Sequence, residues 1–131
     1  MTSATPFLLF AGEAQAAMDL YVSLLPDSRI MRADYYAPNE LGRAGTIKHA
    51  VFTLCGREFM CCDSPIQQAF SASPTNSIFV EFDASEVLEH AFGVLSDGGK
   101  VLMPLNDYGL SRRFGWLHDR FGISWQLGLA S

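Results

Sequence analysis

Apolar and polar positions run through the same order twice along the chain. Phe7-Leu8-Leu9-Phe10 is a short apolar run, and Ala17, Met18, Tyr21, Val22 and Leu25 then recur at helical spacing on one face. Gly12 marks the start of that helix and Pro26-Asp27 its stop. Ile30 to Tyr36 has strand character, and Pro38-Asn39 to Gly45 is turn-rich. Thr46 to Leu54 and Glu58 to Cys62 flank Cys55-Gly56-Arg57 as a hairpin. The pattern predicts strand, helix and three strands, a βαβββ module over residues about 5–63.

Ser64 to Asn76, rich in Ser, Pro, Gln and Asn, separates this module from a second at about 77–129. Ile78 to Phe82 predicts a strand, Asp83 and Glu86 a capping box, and Asp97-Gly98-Gly99 a helix stop. Between them Val87, Leu88, Ala91, Phe92 and Leu95 repeat the first stripe at a shift of 70 positions. Val101 to Leu105, Arg112 to Leu117 and Ile123 to Leu129 supply three more strands. The expected architecture is α+β, one domain over 1–131 built as tandem βαβββ modules. Their curled mixed sheets would enclose a hollow, with the helices on the outer faces.

Composition narrows the partners. The chain has 131 residues, 49% of them hydrophobic and 18% charged, with a formal net charge of −5. That balance suits a packed core. It offers no cluster of Lys and Arg for a phosphate backbone, so nucleic acid is not an expected partner. Cys55, Cys61 and Cys62 are too few and too close to form a disulfide framework, which points to a reducing cytoplasm. The longest uncharged stretch, Ser64 to Val80, contains Pro65 and Pro74 and does not qualify as a membrane span. No basic residue precedes Arg29, so a charged signal-peptide start is missing.

Three segments carry a family resemblance: Ala17 to Ile30 (AMDLYVSLLPDSRI), His49 to Gly56 (HAVFTLCG) and Phe114 to Leu127 (FGWLHDRFGISWQL). With the duplicated module order, they resemble the PhnB-like branch of the glyoxalase/bleomycin resistance protein/dioxygenase superfamily, also called vicinal oxygen chelate (VOC). The branch often carries a demethylubiquinone methyltransferase label. The sequence has no Gly-rich strand-to-helix loop for a nucleotide-like methyl donor. The resemblance implies a paired-module cavity completed by homodimerisation. In the metalloenzymes of the superfamily, four strands each contribute a His, Glu or Gln to a divalent metal. By similarity those positions fall at Pro6 or Phe7, at Met60 or Cys62, near Ser77, and at Gln126. Only Gln126 matches the donor type that hard or borderline cations need, so no metal and no cofactor are expected.

Several residues remain as candidates for the cavity. His49 shares a strand face with Val51 and Thr53, opposite the more apolar Lys48, Ala50, Phe52 and Leu54. An inward imidazole there can act as acid or base, or simply be hydrogen-bonded into the wall. Met60 and Cys62 should point inward, matching Ser124 and Gln126 in the second module. Arg113, taken as the counterpart of His49, would hold an anionic oxygen or form a surface ion pair. Tyr35, Tyr36, Tyr108 and Trp116 could add flat walls, whereas Trp125 is expected in the core, and His90 and His118 at the surface or in packing. The expected function is binding or sequestration of a small aromatic or anionic ligand by a cytoplasmic homodimer. The alternative is a VOC-type lyase, isomerase or dioxygenase-like enzyme using His49 or an unrecognised metal site.

Overall fold

The computed structural model describes residues 2–66, 73–109 and 111–130. Part of the expected connection, residues 67–72, lies outside them. The chain divides into two compact units, Met1–Phe70 and Ser71–Ser131. The first contains β1 (Phe7–Phe10), α1 (Ala14–Leu24), β2 (Arg29–Tyr35), β3 (Ile47–Leu54) and β4 (Arg57–Asp63). The second contains β5 (Ser77–Phe82), α2 (Ser85–Ser96), β6 (Lys100–Asn106), β7 (Phe114–His118) and β8 (Ser124–Leu129). Each is a βαβββ module with a four-stranded mixed sheet, in the orders β1-β4-β3-β2 and β5-β8-β7-β6. In each, the first strand runs parallel to the last and the other pairs are antiparallel.

The stripes bury as their spacing requires. Ala14, Ala17, Met18 and Tyr21 of α1 are buried, as are Leu88, Ala91, Phe92 and Leu95 of α2. They meet the inward residues of their own sheets: Ala50, Phe52 and Leu54 in the first, Leu117, Trp125 and Leu127 in the second. Val87 departs from the expected stripe and is half exposed. Gly115 lets α2 approach closely, because a Cβ there would lie 2.4 Å from the Phe92 ring.

Both helix starts differ from the sequence expectation. The N-cap of α1 is Glu13, with no side-chain cap. Its first turn is instead held from outside the helix: the buried Asp63 carboxylate accepts the N–H groups of Gly12 (2.8 Å), Ala14 (3.0 Å) and Ile47 (2.9 Å). The N-cap of α2 is Ala84, also without a side-chain bond, so Asp83 and Glu86 form no capping box. Glu86 lies in the first turn, where its charge complements the helix dipole.

Among the described residues, no helix is long and apolar enough to cross a membrane.

Candidate functional site

In both units the sheet face turned away from the helix mixes accessible apolar groups with polar ones. In the second unit three rows of residues cross this face. Ser77, Ser124, His118 and Lys100 pair in succession across β5, β8, β7 and β6. Phe79, Gln126, Trp116 and Met103 form the next row, and Glu81, Gly128, Phe114 and Asn106 the third. Three predicted site residues, Ser77, Ser124 and Gln126, thus come together. The Ser77 and Ser124 hydroxyls are 2.6 Å apart, Trp116 Nε1 donates to Ser124 Oγ at 2.8 Å, and Gln126 Nε2 reaches Ser77 Oγ at 3.4 Å. Trp116, expected only as a flat wall, is therefore a donor in this network. Phe79 is 55% exposed and stacks on the buried Phe114, whose ring also meets Tyr108 edge-on.

The first unit repeats the geometry with different chemistry. Phe7, Met60, Val51 and Arg32 form the row equivalent to Ser77, Ser124, His118 and Lys100. One row further, Leu9 pairs with Cys62 and His49 with Asp34. His49 is half-buried on the face it shares with Val51 and Thr53. Its ring centroid is 5.9 Å from that of Phe7, and its Nδ1 is 3.4 Å from an Arg32 guanidinium nitrogen. A guanidinium only donates, so Nδ1 is the acceptor in this contact. Arg32 also lies 3.6 Å from Asp34.

Arg113 and His118 each take one of the alternatives that the sequence left open. Arg113 does not face this side of the sheet: its guanidinium pairs with Glu89 and lies 3.3 Å from Ser85 Oγ, both on α2. The counterpart of His49 is instead Trp116, since each stands one row beyond the matched pairs Val51–Met60 and His118–Ser124. The equivalence slips because β3 has eight residues and β7 only five, so counting from the strand start loses register. His118 is in packing. It ends β7, is 9% exposed, and its Nε2 has no hydrogen-bond partner among the described residues.

The thiols are poor nucleophiles. Burial pushes Cys61 up to about 12, with the Asp63 charge adding to it. Cys62 is likewise raised, first by burial and then by Asp63. Tyr36 is raised mainly by burial as well, and its hydroxyl donates to the Asp63 carbonyl oxygen at 3.2 Å. At the edge of this unit Glu40 is lowered and Lys48 raised by the hydrogen bond between them.

A divalent metal does not fit the donors at the implied positions. Phe7 has no lone pair to give, Met60 and a protonated Cys62 are soft or neutral, and the Ser77 hydroxyl already takes part in a hydrogen-bond network. No group of three or more His, Cys, Asp or Glu side chains among the described residues is arranged to hold an ion. An open cleft of about 670 Å³ also lies at the start of α1, lined in part by Gly12, Leu41, Arg43, Asp63 and Ile66. Its one carboxylate, Asp63, is committed to backbone N–H groups.

Sequence reasoning had no signal for the role of Asp63. Asp119 lies in the family segment Phe114 to Leu127, and its role there is turn chemistry. The Asp119 carboxylate accepts the N–H groups of Phe121 and Ile123 and, from its second oxygen, Trp125 Nε1 at 2.9 Å. Trp125 is fully buried, in the core as expected.

Known proteins place this geometry. The family model described as 3-demethylubiquinone-9 3-methyltransferase matches residues 2–128. The PhnB protein of Bacillus cereus is 43% identical, with 98% of this chain and 100% of that one covered and a TM-score of 0.93. A Pseudomonas aeruginosa protein is 26% identical over 98% of both chains, with a TM-score of 0.76. The fold extends to FosX, the fosfomycin resistance protein of Listeria monocytogenes, solved as a mutant with Mn(II) and a dihydroxypropylphosphonic acid. It is 12% identical over 100% of this chain and 95% of its own, with a TM-score of 0.66. No curated protein matches the chain. A family model spanning nearly the whole sequence and a close structural match agree with the tandem modules, and the chain belongs to the 3-demethylubiquinone-9 3-methyltransferase family, the PhnB-like branch of the VOC superfamily.

Proposed function

We propose that this protein binds a small, partly aromatic organic molecule on the helix-free faces of its sheets, without a metal, and works as a homodimer. The observation that carries this reading is the accessibility of Phe7 (51%), Leu9 (43%) and Phe79 (55%) on faces that also hold His49, Cys62, Ser77 and Gln126. Accessible rings around a few hydrogen-bonding groups are the usual composition of a site for a small organic ligand. The donor chemistry at the implied metal positions argues for binding through apolar contact and hydrogen bonds instead of chelation.

The outer strands, β1 and β2 in one sheet and β5 and β6 in the other, supply edges that a second copy would cover. Native mass spectrometry of the purified protein tests the ligand reading. The expected result is a species that takes up small aromatic compounds from a mixed library and carries no stoichiometric divalent metal. Full occupancy by zinc, manganese, iron or nickel, or failure to retain any compound, would overturn it.

A further inference from the structure

We infer that the helix-free face of the second unit takes organic cations, amines or quaternary ammonium groups on an apolar body, at the end where Phe79 and Glu81 stand. This inference rests on the ligand-binding reading above and names the class of molecule.

The hydrogen-bonding groups of this face do not choose a ligand by charge. Ser77, Ser124, Trp116 and Gln126 are neutral, and their network offers acceptor lone pairs as well as protons. The choice falls to formal charge beside the accessible rings. Phe79 and Glu81 are two positions apart on β5, hence on the same face, and both are exposed. β5 is an outer strand, and opposite Glu81 on its one neighbour, β8, stands Gly128, which brings no side chain. None of the ion pairs among the described residues involves Glu81.

Gly128 also shapes the aromatic surface. A Cβ there would lie 3.3 Å from the tip of the Phe79 ring. Without it, Phe79 and Phe114, from the strands on either side of β8, stack with centroids 6.3 Å apart, and Phe79 keeps its exposure. A cation resting on the Phe79 ring meets the negative face of the π system and the Glu81 carboxylate together. The remaining charges agree in sign. Asp83 and Asp107 follow β5 and β6 at this end of the sheet, against Arg112 before β7, while Lys100 stands in the Ser77 row, three strands across from β5. At the shift of 70 positions the first unit has Leu9 and Ala11 in place of Phe79 and Glu81, so the pairing of ring and carboxylate belongs to the second unit alone.

The test is an NMR titration of the ¹⁵N-labelled full chain, read at the backbone N–H of Gly128. Trp125, whose indole is bound to Asp119 in the core, serves as the internal reference for an intact fold. Probes are benzyltrimethylammonium, benzyl alcohol and benzoate, which share a ring and differ in charge. Benzyltrimethylammonium is expected to bind roughly five- to tenfold more tightly than the other two. Glu81→Gln, at an exposed position, should weaken it roughly two- to fivefold and leave benzyl alcohol unchanged. Phe79→Leu keeps an apolar group but removes the π face, and should weaken the cation by about the same factor.

If benzyl alcohol or benzoate binds as tightly as benzyltrimethylammonium, or if either variant keeps the wild-type affinity for the cation, the cation preference is wrong although ligand binding stands. If none of the three probes shifts the Gly128 signal, the ligand site on this face is wrong as well.

Discussion

At the residue scale, two aspartates do most of the positioning, each by gathering backbone N–H groups. Asp63 ends β4 and reaches across to the start of α1 and to Ile47, so one buried carboxylate ties helix to sheet. Replacing it by Ala strands these donors in the interior. Asp63→Ala is expected to cost about 2–4 kcal/mol, read as a lower urea midpoint at an unchanged slope. An unchanged midpoint would show that water replaces the carboxylate at no cost. Asp119 plays a comparable part between β7 and β8, where Phe121, Ile123 and Trp125 all donate to it. Neither role was legible in the sequence. An acidic residue at a strand end looks like any surface carboxylate until its distant donors, 49 and 51 positions away for Ala14 and Gly12, are brought to it.

At the element scale, the helices and most strands were legible because their apolar spacing matches the face each one buries. The β3–β4 hairpin was legible too, but Arg57 opens β4 and pairs with Leu54, so the turn has two residues where the sequence set aside three. Cys55 (φ 51°) and Gly56 (φ 80°) both take left-handed conformations, as a type I′ turn requires. Glycine tolerates this; cysteine does so at a cost. Cys55→Asn should therefore raise stability by up to about 1 kcal/mol, whereas Gly56→Ala should lower it by about 1–2 kcal/mol. A Cβ at Gly56 would also stand 2.8 Å from an Asp27 carboxylate oxygen. Thermal unfolding of the two variants checks both signs, and equal melting temperatures would contradict the turn assignment. The helix caps were not legible, since Asp83 and Glu86 have the right spacing for a box that the backbone does not form.

At the scale of the whole molecule, the proposed dimer is the property most open to direct measurement. Light scattering or sedimentation at micromolar concentration should give about twice the chain mass of 14.4 kDa. Phe7→Asp, which puts a charge on an accessible apolar face, should shift the population toward monomer. A wild-type monomer would refute the assembly. The sequence by itself determined the duplicated βαβββ order, the helix stripes and the family, because periodicity and local turn chemistry are properties of neighbouring residues. Only the tertiary structure decided that Arg113 turns to Glu89 on α2, that Trp116 and not Arg113 stands opposite Gln126, and that Ser77 meets Ser124. Those outcomes depend on register between strands far apart in the chain, where a shift of a single residue sends a side chain to the other face.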